Sequence, residues 1–243
     1  MNFLKTYTLP TAEANTFLVY WTNTNMSPRG VIKVCVNAEL EDRNIVAELA
    51  AMRHLLEDKE VVGRTLVGNH NTQLIVSLGA IRKLHRMQSG KAHLAPYANF
   101  LTTRFAGCPI AVDKDTHWFA EVPPESAEEL LINAAHRATV LVKGYGEVSV
   151  THHVLKRIAD RFPLKAECAE QMAWKFLREV TADPSLREVV RKSTKASPRH
   201  DLEGRYFLNI ERYLVLVVTD NPGEGKRLVT TYPSNNAFQT RAA

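Results

Sequence analysis

A segment rich in histidine and arginine begins the C-terminal part of the chain and carries the side chains best suited to chemistry. In Thr151-His-His-Val-Leu-Lys-Arg-Ile-Ala-Asp-Arg161, the residues His153, Arg157 and Arg161 recur every four positions. A helix would place all three on one face. Histidine exchanges protons near neutral pH, and arginine binds phosphate through a planar fork of donors. Cleavage of RNA without a metal requires these groups: a base for the 2′-hydroxyl, an acid for the leaving oxygen and cations for the developing charge.

The same segment also has a purely structural interpretation. Val154, Leu155 and Ile158 provide an apolar face beside the basic one, and the basic face of an amphipathic helix is usually only solvated. Thr151 is a suitable N-cap residue, so His152 could simply belong to the first turn of a helix. The pattern alone leaves both interpretations open.

The elements before this segment form a first predicted domain over residues 1–142. Apolar and aromatic runs predict three strands over 3–9, 16–22 and 31–36, separated by turns. A helix over 42–57 follows from apolar residues at a spacing of three and four. The remaining predicted elements are a fourth strand over 65–68, a helix over 72–87, a fifth strand over 106–112 and a helix over 126–138.

A second predicted domain covers residues 148–233, after a linker at 143–147 with the sequence Lys-Gly-Tyr-Gly-Glu. Helices that precede an antiparallel meander indicate an α+β domain, and 234–243 is predicted to be a tail. The predicted elements of this second domain are helices over 150–162, 166–182 and 186–192, followed by strands over 205–210, 213–219 and 227–232.

The element order β-β-β-α-β-α-β-α of the first domain resembles that of a ribonuclease H-like domain. The most specific parts are the helix Asn44–Leu56, which carries Glu48, and the turn Asn71-Thr-Gln. The resemblance implies an α/β fold with a mixed sheet and four acidic residues that hold two divalent ions. Thr8 matches the first-strand position and Asn71 the fourth-strand position, whereas Glu48 matches the helix position.

Neutral residues at two of these positions cannot hold a hard divalent cation. The resemblance therefore implies a catalytically inactive domain with a degenerate acidic site and no metal. Glu48 is then a remnant, or simply a solvated helix residue. The last acidic position stays open among Asp113, Asp115, Glu128 and Glu129.

The second domain resembles the barnase/EndoU/colicin/RelE-like nuclease superfamily of small metal-independent ribonucleases, often toxins or phage-encoded proteins. The resemblance rests on the histidine and arginine helix and on the closing strand Thr230-Thr-Tyr232, and spans about residues 148–233. It implies His152 or His153 as acid and base, Arg157, Arg161 and Arg205 as phosphate ligands, and Thr230, Thr231 and Tyr232 as residues that line the site.

Composition favours a soluble, cytoplasmic protein without a membrane partner or cofactor. Of 243 residues, 45% are hydrophobic and 23% charged, and no apolar run reaches the roughly 18 residues that a membrane helix needs. The three cysteines are far apart, which favours free thiols in a reducing compartment. Residues 146–243 carry 16 Lys and Arg against 12 Asp and Glu, a modest excess that suits a nucleic-acid partner.

Three functions are consistent with these patterns. The first is a two-domain protein that acts on RNA through a metal-independent C-terminal ribonuclease. The second is a non-enzymatic nucleic-acid-binding or regulatory protein. The third is a protein-interaction factor that docks on a host protein.

Overall fold

The computed structural model describes residues 2–24, 29–63, 72–162, 164, 169–191, 204–212, 214–221, 225–233 and 238–240. The chain divides into two compact units, unit 1 over residues 1–136 and unit 2 over residues 137–243. Each unit combines a mixed β-sheet with helices. The mixed α and β character expected from the sequence is therefore present in both.

Unit 1 contains a six-stranded sheet. Its strands β1 to β6 are Asn2–Pro10, Thr16–Asn23, Arg29–Val36, Thr72–Val76, Ile110–Val112 and Glu128–Ile132. The strand order is β5-β4-β1-β2-β3-β6. The pairs β1–β2 and β2–β3 are antiparallel, which confirms the predicted meander, whereas β4, β5 and β6 join in parallel.

Helices pack on this sheet because their apolar residues recur on one side. Helices α1 to α3 are Arg43–Arg53, Gly79–His85 and Asn99–Thr102, and a π-helical turn, His54–Asp58, continues α1. Short 3₁₀ turns are Ala92–Leu94, His117–Phe119 and Pro124–Ser126. The predicted face of Ile45, Leu49, Met52 and Leu56 is buried in the main core.

Two predicted helices of unit 1 are wrong. Residues 72–76 form the strand β4, whose buried residues alternate with half-buried ones, and only Gly79–His85 is helical. The segment predicted as a helix over 126–138 contains β6, which pairs with the open edge of β3. Pairing along a whole strand outweighs the weak local helix preference of Glu and Leu. The strand predicted over 65–68 lies outside the described residues.

Unit 2 contains a seven-stranded sheet with two helices. Strands β7 to β13 are Thr139–Val142, Gly146–Ser149, Arg187–Arg191, Gly204–Asn209, Leu214–Asn221, Gly225–Pro233 and Phe238–Thr240, and helices α4 and α5 are His152–Arg161 and Ala169–Ala182. The order is β13-β9-β10-β11-β12-β8-β7. The predicted meander is confirmed as β10-β11-β12, and both long helices are confirmed.

Several predictions for unit 2 need correction. The expected linker at 143–147 belongs to the hairpin that joins β7 and β8. The helix predicted over 186–192 is the strand β9, which pairs with β10, because the β-branched pair Val189-Val190 suits a sheet. The predicted tail contributes β13, which pairs with β9. The sheet is therefore larger than the small antiparallel one expected, and it is mixed, since β12 and β8 are parallel.

No helix in the described part of the chain combines the length and the apolar character needed to cross a membrane.

Candidate functional site

Helix α4 presents the histidine and arginine face predicted from the sequence. Val154, Leu155 and Ile158 are buried, so the other side of the helix faces outward. Thr151 occupies the N-cap position, but its side chain makes no capping hydrogen bond. The apolar residues therefore orient the helix, and the basic residues are left at its surface.

Arg161 connects α4 to the last long strand of the meander. Its Nη1 donates to the backbone carbonyl of Thr231, and its guanidinium carbon lies 5.3 Å from the ring centre of Tyr232. A cation over an aromatic ring is attracted by the electron-rich face. Arg161 and Tyr232 therefore form one fixed, positively charged group.

His153 and Arg157 form a second contact one turn earlier. Arg157 Nε donates to His153 Nε2 at 3.4 Å, a long and weak hydrogen bond. In this contact the guanidinium is the donor and the imidazole nitrogen Nε2 is the acceptor. An exposed imidazole beside a guanidinium can exchange a proton with a substrate hydroxyl once Arg157 turns to a phosphate.

The other residues predicted for this site are placed differently. Arg205 contacts Tyr145, with its guanidinium carbon 5.1 Å from the ring centre, and Glu188, at 3.3 Å from Nε. Thr231 is completely buried, and the described residues offer no hydrogen-bond partner to its hydroxyl. Thr230 is also buried. Both threonine side chains are therefore enclosed, and their role at the site stays a prediction. Tyr232 and His152 are half-buried and accessible in part.

Glu48 in unit 1 is not the solvated helix residue that one interpretation predicted. Its side chain is completely buried. Oε1 accepts hydrogen bonds from the Thr6 hydroxyl at 2.9 Å and from the Ser77 backbone N–H at 2.7 Å. Oε2 accepts from the Ser77 hydroxyl at 2.7 Å. The carboxyl group thus joins α1 to β1 and to the residue that follows β4.

Burial raises the pKa of Glu48, because a charged carboxylate loses its hydration inside the protein. The hydrogen bonds from Ser77 and Thr6, with a weaker contribution from the Thr8 side chain, oppose this rise in pKa. Among the described residues, these hydrogen bonds join the carboxyl group to two hydroxyl groups and one backbone N–H. The group is a buried, hydrogen-bonded carboxyl.

The residue that follows the fourth strand and faces Glu48 is Ser77, which the sequence interpretation missed. Asn71 lies outside the described residues, and the described strand β4 begins at Thr72. Thr8 does lie nearby, since its backbone N–H donates to Ser77 Oγ at 3.3 Å. A serine directly after the alternating segment Thr72–Val76 was the available signal.

The remaining acidic candidates bind cationic side chains. Asp113 and Asp115 contact Lys5 at 2.8 and 4.0 Å, and the Lys5 hydrogen bond lowers the pKa of Asp113. Glu128 contacts Lys59 at 3.0 Å and Glu129 contacts Lys33 at 3.6 Å. Within the described ranges, no three His, Cys, Asp or Glu side chains are grouped as metal ligands would be.

Comparisons with protein-family models, curated proteins and solved structures gave no match.

Proposed function

We propose that this chain is a nucleic-acid-binding protein that takes RNA, and that unit 2 holds the phosphates on the α4 surface, defined as His153, Arg157, Arg161 and Tyr232. The proposal depends on one observation above all: Arg161 is held in place by Tyr232 and by the Thr231 carbonyl. A fixed guanidinium loses less conformational freedom when it binds a phosphate.

The chemistry of the α4 surface suits RNA. Arg157 and Arg161 are one helical turn apart, about 6 Å along the axis, so two phosphate-binding forks follow each other along one face. Phosphate contacts supply most of the affinity for nucleic acid, and an adjacent tyrosine can stack on an unpaired base. Single-stranded RNA offers both features at once.

Metal-independent cleavage is the second candidate function, and the His153–Arg157 contact favours it. This pair places a proton acceptor beside a cation, which are two of the three groups that the reaction needs. His152, the neighbouring residue, is the candidate for the third group, the acid.

For unit 1 we propose a ribonuclease H-like domain without its metal centre. The element order β-β-β-α-β-α-α-β up to β5, in which the last helix is the four-residue α3, supports this proposal. The convergence of Thr8 and Glu48 with Ser77 supports it as well. Hydroxyl groups stand where carboxylates would be needed to bind divalent ions.

Fluorescence anisotropy with a labelled single-stranded RNA tests the proposal. We expect binding that weakens as salt rises, and a loss of at least tenfold in affinity for the double variant Arg157→Gln/Arg161→Gln. The matched control is Lys175→Gln/Arg178→Gln, which removes two exposed cations from α5 and should bind like the wild type. Wild-type protein without salt-dependent RNA binding would overturn the proposal and favour docking on a protein.

The same RNA, incubated in excess EDTA, tests cleavage. Products that persist in the chelator and disappear in His152→Ala/His153→Ala support the nuclease candidate. Cleavage that requires Mg²⁺ would contradict the proposal that unit 1 lacks its metal centre. RNA binding without cleavage would favour the non-enzymatic nucleic-acid-binding function.

A further inference from the structure

We propose that Tyr145, Arg205 and Lys226 form a second phosphate-binding site in unit 2, which we call the hairpin site. It rests on the proposed function, because it would bind a phosphate group of the same class of ligand. Tyr145 lies in the turn between β7 and β8, whereas Arg205 and Lys226 lie at the starts of β10 and β12. The sequence alone does not connect these three residues.

Two cations meet the same aromatic ring in the hairpin site. Lys226 Nζ lies 4.0 Å from the Tyr145 ring centre, and the Arg205 guanidinium carbon lies 5.1 Å from it. Lys226 also donates to the Tyr145 carbonyl, and the Tyr145 ring packs on Phe207 at 5.0 Å. The ring therefore holds an ammonium and a guanidinium close together at fixed positions.

The backbone of the turn permits this approach. Gly144 and Gly146 have φ angles of 74° and 101°, which side chains other than glycine rarely adopt. A Cβ atom at Gly146 would lie 3.5 Å from Lys226 Nζ. The two glycines thus present Tyr145 to the cations without adding side chains beside them.

Positive charges that are held together repel each other unless an anion lies near. Glu188 contacts Arg205 at Nε, and Asp220 is the cross-strand neighbour of Lys226. A guanidinium has five N–H donors. Arg205 uses part of this set on Glu188 and on the Tyr145 side chain, and its remaining donors can bind a phosphate oxygen. The Arg205 side chain is 49% exposed, which gives an anion a path to it.

The combination of groups indicates the class of ligand. A guanidinium fork binds two phosphate oxygens, and an ammonium adds a point charge beside it. The Tyr145 ring holds these two cations together. A phosphate group carries more negative charge than a carboxylate and has three acceptor oxygens, so it can bind the guanidinium and the ammonium at once.

The chain offers a matched control at Arg212. This residue contacts Glu179 at 3.0 Å and lies 5.4 Å from the Phe176 ring centre. It reproduces the acidic and aromatic contacts of Arg205 but lies on a ring that Lys226 does not reach. Arg212→Gln therefore removes an equivalent arginine without changing the hairpin site.

The test is a titration with inorganic phosphate, followed by NMR at the backbone amides of Tyr145 and Gly146. We expect saturable shifts in wild type and in Arg212→Gln, and at least tenfold weaker binding in Arg205→Gln/Lys226→Gln. Sodium chloride at equal ionic strength should not reproduce the shifts. Equal shifts with chloride, or unchanged phosphate affinity in the double variant, would overturn the proposal.

Two further variants separate the possible failures. The charge-preserving Arg205→Lys/Lys226→Arg should retain binding within a few-fold, and its thermal unfolding shows whether the hairpin has stayed folded. Arg157→Gln/Arg161→Gln should lose RNA but still bind phosphate at Tyr145. If the wild type binds phosphate but not RNA, the hairpin site is supported and the proposed function is contradicted. If the wild type binds RNA but no phosphate at Tyr145, the hairpin site alone is contradicted.

Discussion

Ser77 binds both oxygens of the Glu48 carboxyl group, with its backbone N–H on Oε1 and its hydroxyl on Oε2, each at 2.7 Å. The two residues are far apart in sequence but join α1 to the end of β4. Because Glu48 is completely buried, these hydrogen bonds replace water that the carboxyl group lost on folding.

Replacing Ser77 by alanine should destabilise the protein. The variant keeps the backbone hydrogen bond but leaves Oε2 without its hydroxyl donor, which costs about 1–3 kcal/mol in a buried site. Chemical denaturation of wild type and Ser77→Ala measures the difference. Ser126→Ala is the control, because its exposed hydroxyl donates to the Pro123 carbonyl at 2.7 Å and its loss should change the free energy of unfolding by less than about 0.5 kcal/mol. Equal effects of the two substitutions would contradict this account of Glu48.

The stability of the protein should depend on pH through Glu48. Burial raises the pKa of this residue above its ordinary value of 4.5, so the folded state holds the proton more tightly than the unfolded chain. The contribution to stability is complete below pH 4.5 and declines as pH rises through the higher pKa of the folded state.

Glu48→Gln should lack this decline, since its amide does not ionise and the Ser77 hydroxyl can accept from it. The wild type should therefore lose stability relative to Glu48→Gln as pH rises above 4.5. Urea unfolding of both proteins at several values of pH measures the difference, and a difference that does not vary with pH would rule out this role.

Replacing Arg157 should lower RNA affinity alone, whereas replacing Arg161 should lower both RNA affinity and stability. Arg157→Gln removes a surface cation, so RNA affinity should fall and the slope of log affinity against log salt should decrease by about 1. Arg161→Gln also breaks the contacts with Thr231 and Tyr232, so it should lower the free energy of unfolding by about 1 kcal/mol as well. Thermal melting beside the salt series separates the two effects. If Arg157→Gln is destabilised but binds RNA as tightly as the wild type, Arg157 has a structural role and does not bind RNA.

Cys108 should resist alkylation in the folded protein. Burial raises the pKa of its thiol to about 11, and the thiolate is the reactive form. Iodoacetamide labelling at pH 8, followed by mass spectrometry of the peptides, should modify Cys108 at least tenfold more slowly in native protein than in urea. Half-buried Cys35 serves as the internal comparison. Rapid native labelling of Cys108 would show that this part of the core opens.

Periodicity predicted the elements that carry one clear pattern. The meander β1-β2-β3, the buried face of α1, the amphipathic helix α4 and the hairpins of β10-β11-β12 each repeat apolar residues at the spacing of their own secondary structure. Such elements bury their apolar residues largely independently of their partners. The histidine and arginine face of α4 was visible for the same reason.

The errors fall where a partner strand decides the conformation. Residues 128–132 and 187–191 have mixed local preferences, and each is extended because an open strand edge lies beside it. Residues 143–147 carry the glycines of a linker, yet the pairing of β7 with β8 makes residues 143–145 a turn and residues 146–147 part of β8.

The sequence by itself determined which residue types are present and on which face of each element they lie. Only the tertiary structure decided which faces meet: Ser77 with Glu48 at the carboxyl end of β4, Arg161 on Tyr232, and Arg205 with Lys226 on Tyr145. Local periodicity depends on residues a few positions apart, whereas these contacts join positions separated by tens of residues. Their pairing is set by strand order and by the burial of side chains from distant segments, which no local pattern contains.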